Sequence, residues 1–182
     1  KFNTILALVL LAAIQLTAQA QVTATTPEMI VDKGASFQYP VKLTSDESIV
    51  GIQFTVKWDS TILRYDSIYQ VDLPTTMSKS GLFGDLGNGV LTFVWTEESL
   101  QGTVLGDNST IFSIAFTAIG GDCSKTTIDI MEVPTSIEFT TIDNPLAYEL
   151  NIGEVHIGKE VSTTETLTTD FTLFQNRPNP VT

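Results

Sequence analysis

Three features of the chain predict an all-β fold, an antiparallel β-sandwich. Along Gly51-Ile52-Gln53-Phe54-Thr55-Val56-Lys57-Trp58-Asp59, large apolar side chains at 52, 54, 56 and 58 alternate with polar ones at 53, 55 and 57. An extended strand sends those two sets to opposite faces, one into a core and one into water. Short runs of the same kind recur from residue 36 to residue 157 with turn-forming residues between them, and no convincing helical pattern competes. A solenoid is disfavoured because no repeat period is visible.

Taken in order, Ser36 to Leu43 alternates with Phe37, Tyr39, Val41 and Leu43 on one side. Pro40 falls on the other side and predicts an edge strand or a bulge, since proline cannot donate to a ladder. The Gly51 strand ends at Trp58-Asp59, and Leu63 opens a second apolar run a few residues later, the pattern of a strand turning tightly into its neighbour. Asn88-Gly89 is a hairpin turn leading into Val90 to Thr96, with Leu91, Phe93 and Trp95 inward and Thr92, Val94 and Thr96 outward. Phe112, Ile114, Phe116 and Ala118 repeat the alternation. Ile128 and Ile130, Ile137 and Phe139, and Leu150, Ile152, Val155 and Ile157 carry it to the end of the domain.

Neither end belongs to that domain. Residues 1–20 read as a signal peptide: Lys1, an apolar run from Ile5 through Ile14 too short to span a bilayer, then Ala18-Gln19-Ala20 as a small-residue cleavage site that would leave Gln21 first. No initiating methionine precedes Lys1, so the chain is read as open on that side. Residues 158–170 are Thr- and Glu-rich with little to bury, a linker by composition. Beyond it, Leu173, Gln175, Asn176, Pro178, Asn179 and Pro180 stand as a Leu-x-Gln-Asn-x-Pro-Asn-Pro phrase. That phrase resembles the opening of the C-terminal sorting domain of type IX secretion in Bacteroidetes-type bacteria. Residues 171–182 would then be the start of such a domain, whose β-rich remainder would continue past Thr182. The expected location is secreted, extracellular or attached to the cell surface, with membrane contact only through the removed signal.

Residues 21–157 remain, a length that suits one domain with a core of its own. Cys123 is the single cysteine, so no disulfide within the chain can form, and its Gly- and Asp-rich surroundings predict a loop thiol. The formal net charge is −12, from 21 acidic against 9 basic residues. Phosphate binding draws on clustered Lys and Arg, so nucleic acid is excluded as a partner. The acidity reads as solubility, because the Asp-x-Asp-x-Asp spacing of a calcium loop does not occur.

Catalytic constellations do not assemble either. His156 is the sole histidine and lies in an alternating strand, and Glu97 with Glu98 would point to opposite faces of a strand. The glycines of Gly84 to Gly89 lack the Lys-Ser/Thr of a phosphate loop and precede a strand, which makes them a turn. The chain is therefore expected to be no enzyme and to need no cofactor or metal of its own. Binding by a sheet face is the expected work.

From about Thr23 to Ile157 an ordered set of phrases resembles the cohesin family: Gly34-Ala35-Ser36-Phe37, the Gly51 strand with its aromatic-Asp ending and Leu63 after the turn, the Gly89 to Glu97 strand, and Thr110 to Phe116 after Gly106-Asp107. Two departures occur: Trp58-Asp59 replaces the usual Tyr-Asp, and Asn108 stands where Gly is commoner. The resemblance implies a jelly-roll sandwich of about nine strands. It also implies a partner, a dockerin-like module carrying its own calcium, in a glycan-degrading or adhesive extracellular assembly. Gln53, Thr55, Lys57, Thr92, Val94 and Thr96, with Glu97 at the rim, form the sheet face that would receive it. The alternative is a carbohydrate-binding module of related sandwich fold, which would stack polysaccharide on an exposed aromatic. Trp58 and Trp95 fall inward, leaving Tyr65, Tyr69 and Tyr148 as platform residues.

Overall fold

A computed structural model describes residues 22–158, so the expected signal peptide, the linker beyond Gly158 and the tail at 171–182 lie outside the described residues. In chain order the strands are β1 (Val22–Thr25), β2 (Met29–Val31), β3 (Ser36–Ser45), β4 (Ser48–Ile49), β5 (Gly51–Lys57), β6 (Leu63–Val71), β7 (Phe83–Gly87), β8 (Val90–Thr96), β9 (Thr103–Val104), β10 (Ser109–Ala118), β11 (Lys125–Thr127), β12 (Asp129–Met131), β13 (Glu138–Thr140), β14 (Tyr148–Asn151) and β15 (Glu154–Ile157). One short helix, α1 (Lys79–Leu82), precedes β7.

The principal sheets are β14-β1-β3-β10-β6 and β12-β5-β8-β7, with β13 also paired to β5. β12 lies opposite Thr55 to Lys57 and β13 opposite Gly51 to Gln53, so the two continue one another along one edge of β5. Counted as one interrupted strand, they leave nine strand positions in a two-layer sandwich, as expected. Alternation supplies the core. Phe112 of the first sheet meets Phe93 and Phe54 of the second at ring separations of 4.7 and 6.1 Å, in the offset and tilted arrangements that aromatic pairs favour. Trp58 and Trp95 are buried at 4% and 1% exposure, and each indole N–H finds a carbonyl, Leu63 at 2.9 Å and Pro74 at 3.0 Å. Among the described residues no buried side-chain nitrogen or oxygen lacks a hydrogen bond.

Asn88-Gly89 forms the expected hairpin, with φ of 52° and 76° at its centre. A Cβ on Gly89 would stand 2.1 Å from the Trp58 carbonyl oxygen, which accepts no side chain there.

Elsewhere the structure corrects the sequence reading. The turn after Trp58 does not join neighbours: β5 lies in one sheet, and β6 pairs with β10 in the other. Asp59 builds this crossing. Its carboxylate accepts from the Thr61 N–H and hydroxyl at 2.8 and 2.6 Å, while its carbonyl accepts from Ile62 and Leu63. Tight turns of this kind serve a change of sheet as readily as a hairpin, and the apolar pattern on either side is the same. The sandwich is not wholly antiparallel, because β1 pairs parallel with β14 and β2 with β15. Both pairs interrupt at corresponding places, where the Thr26 N–H donates to the Asn151 carbonyl and the Gly153 N–H to the Thr26 hydroxyl. Ile152 sits in that interruption and is exposed. β3 is an interior strand, and Pro40 is tolerated because β1 reaches only to Lys42.

Val22 therefore stands beside Ser45 at one end of β3, whereas Gly158 bonds to Val31 near the other. The described residues run from one pole of the sandwich to the opposite one.

Candidate functional site

The β5–β8 ladder decides which outward residues are neighbours. Gly51 lies opposite Thr96, Gln53 opposite Val94, Thr55 opposite Thr92 and Lys57 opposite Val90. The six strand residues singled out from the sequence, Gln53, Thr55, Lys57, Thr92, Val94 and Thr96, therefore belong to one outer sheet face. Flanking strands widen it. β12 adds Asp129 beside Lys57 and Met131 beside Thr55; β13 adds Glu138 beside Gln53 and Thr140 beside Gly51; β7 adds Gly84 beside Thr92. Sequence reasoning missed these five, although alternation around Ile130 and Phe139 could have found four of them.

Three of the expected residues have other duties. Thr55 is fully buried rather than presented to a partner. The segment between β12 and β13 folds back over it, with the Thr55 hydroxyl donating to the Thr135 carbonyl at 3.2 Å and accepting from the Thr135 N–H at 2.9 Å. Gln53 supports the same segment by donating to the Ser136 hydroxyl at 2.9 Å, and Ser136 donates to Glu138 at 3.2 Å. This segment forms a raised rim, with Val133 at its tip 72% exposed. Glu97 lies past the end of β8, and its carboxylate accepts from the Ser99 N–H and hydroxyl and from the N–H groups of Gln101 and Gly102. The Ser99 amide and hydroxyl hold that carboxyl below the usual carboxylate range, with the Gly102 and Gln101 amides adding to the effect. Glu97 orders its own loop and presents no free carboxylate at the rim.

What remains open is a shallow depression lined by Gly51, Gln53, Val94, Thr96, Glu138 and Thr140. Gly51 makes it: a Cβ there would stand 2.6 Å from the Thr140 hydroxyl oxygen. Val94 is 44% exposed beside it. An exposed apolar side chain amid hydroxyl and amide groups, with Lys57, Asp129 and Glu138 around them, has the composition of a docking surface with an apolar centre and a polar rim.

No aromatic ring stands on this face among the sequence candidates. Trp58 and Trp95 are buried; Tyr65 packs on Trp58 at 6.1 Å; Tyr148 packs on Phe139 at 5.8 Å and donates to Glu132. Tyr69 is exposed, but on β6 of the other sheet. Cys123 is an exposed loop thiol, and His156 pairs with Glu154 at 2.8 Å. Among the described residues no group of three His, Cys, Asp or Glu is placed to hold a metal ion.

The chain is similar in fold to several solved cohesins. The sixth cohesin of scaffoldin B from Acetivibrio cellulolyticus, solved with a Cel5 dockerin variant, is 21% identical with a TM-score of 0.60, covering 75% of this chain and 98% of that one. The OlpA cohesin from Clostridium thermocellum, solved with the dockerin Doc918, is 18% identical at a TM-score of 0.61, covering 75% and 99%. A non-cellulosomal cohesin from the archaeon Archaeoglobus fulgidus is 17% identical at 0.61, covering 78% and 94%. No curated protein matches the chain in sequence. At such identities the likeness concerns the fold. The cohesin domain family model, however, matches residues 20–157, most of the chain, and with the sandwich described above it establishes that this protein belongs to the cohesin family.

Proposed function

We propose that this protein is a non-catalytic cohesin module that docks a dockerin-type partner on the outer face of β12/β13-β5-β8-β7. The observation that carries the reading is that face: recessed at Gly51, without a side chain at Gly84, apolar at Val94, hydroxyl-rich around it, and bounded by the rim over Thr55. Solved cohesins of the same fold were captured in complex with dockerins, which supports the class of partner. Calcium, in this reading, is carried by the partner. The proposal extends to context: residues 1–20 direct export, residues 158–170 tether the module, residues 171–182 begin a type IX sorting domain, and the assembly served is glycan-degrading or adhesive.

The test is titration of the full chain with a panel of calcium-loaded dockerins by calorimetry. At least one should bind, and binding should vanish when chelator unfolds the dockerin. Val94→Asp should weaken it by roughly 2 kcal/mol or more, because a charge would be desolvated at the centre of the interface, while the melting curve stays that of the parent. Binding unaffected by Val94→Asp would move the interface elsewhere.

A further inference from the structure

The face opposite the proposed docking surface has its own organisation, formed by β3, β10 and β6. Its rows follow from the register: Pro40, Ser113 and Gln70; Gln38, Ala115 and Ser67; Ser36, Thr117 and Arg64. β6 does not pair evenly here. Ser113 faces Gln70 while Ile114 faces Ile68, and Ala115 faces Ser67 while Phe116 faces Tyr65, so Tyr69 and Asp66 are each an extra residue. Bulges of this kind re-aim a side chain, and they recur beside binding sites. Both extra residues serve the same face.

Tyr69 is 51% exposed and lines one shallow trough with Ser36, Phe37, Gln38 and Ala115. Lys79 of α1 fixes the bulge, donating to the carbonyls of Ile68 and Tyr69 at 2.6 and 2.8 Å. At the adjoining end, Asp66 accepts the Thr117 hydroxyl proton at 2.6 Å. Thr117 has then spent its donor, so its oxygen accepts from Arg64 at 3.1 Å and from Ser36 at 3.1 Å. The Arg64–Asp66 pair, 3.0 Å apart, neutralises itself. Gln38 lies opposite Ala115 in the ladder and is exposed. Ser113 and Thr117 at the ends of this strip are buried, so its open part is the trough around Ser36, Gln38, Ala115 and Tyr69.

We infer that this strip is a second binding site and that it takes a neutral oligosaccharide. The charge pattern selects the ligand. On a chain of net charge −12 the centre of the strip carries only hydroxyl, amide, methyl and phenol groups, and the charges at its end, Arg64 and Asp66, are matched against each other, which favours a neutral ligand. A polyhydroxylated ring meets both halves of that chemistry. Its C–H face lies on the negative face of the Tyr69 ring, with Ala115 leaving space, and its hydroxyls bond to Gln38, Ser36 and Arg64. The two sheets of a sandwich face opposite directions, so a glycan here and a protein partner on the other face can be held together. The inference does not depend on the dockerin reading.

Affinity electrophoresis of the full chain in gels containing hydroxyethyl cellulose, xylan, galactomannan or, as an anionic control, polygalacturonate tests it. Retardation is expected in at least one neutral gel and not in polygalacturonate. Tyr69→Ala should weaken it about tenfold with an unchanged melting curve, Tyr69→Trp should preserve it, and Val94→Asp should leave it as in the parent. Absence of retardation in every neutral gel, preference for polygalacturonate, or retardation insensitive to Tyr69→Ala would each overturn the inference. So would sedimentation showing that Tyr69 instead holds two copies of the chain together.

Discussion

Trp58 closes the core where the chain leaves one sheet for the other, stacked edge-on to Phe116 at 5.0 Å and bonded to the first residue of β6. Trp95 does the same for the loop before α1 through Pro74. Replacing either with Ala would leave a cavity and release a carbonyl, so each variant should lose about 3–5 kcal/mol by denaturant unfolding. A parental midpoint for either would overturn the assigned strand register. A titration belongs to this scale as well. Burial pushes the Tyr39 phenol, which donates to the Pro27 carbonyl, up to about 12, partly offset by the neighbouring Thr26 hydroxyl. The folded pKa exceeds the unfolded one, so stability from the neutral phenol is complete below pH 10 and falls as pH rises toward 12. Melting temperature against pH should show that alkaline slope, and Tyr39→Phe should flatten it. Inward residues such as these were legible in the sequence because alternation alone decides them. Thr55 was not: its pattern is that of an outward threonine, and the chain that covers it arrives from residue 135, 80 positions away. Tyr69 was readable as an exposed ring, but its face was not, because a bulge breaks the two-residue period on which such readings rest.

Between the strands, the segments carry the individuality of the molecule. The rim between β12 and β13 raises one border of the docking face, and the loop after β8 is organised by a single carboxylate. Glu97 is held below the ordinary carboxylate range, first by Ser99, so its contribution is present above the unfolded pKa and is lost as pH falls through the lowered folded value. In amide NMR spectra, Ser99, Gln101 and Gly102 should move together at a pH below the usual carboxylate range. Glu97→Gln should abolish that shared transition. Strand existence was readable throughout this scale, whereas strand partnership was not. Asp59-Ser60-Thr61 reads as a tight turn whether the next strand pairs with the last or crosses the core, and only the full set of ladders separates the two.

For the whole molecule, the proposed ends make a definite claim. Mass spectrometry of exported protein should find Gln21 as the first residue, and an intact Lys1 would refute the leader. The described sandwich adds a claim of a different kind. Its first and last strands run parallel, β1 along β14 and β2 along β15, and residues 22 and 158 stand at opposite poles. Tension between those poles draws the members of each pair past one another lengthwise. The cross-strand bonds then carry the load side by side instead of parting one at a time from a free end, and the geometry that closes the fold also makes it a link suited to bearing pull.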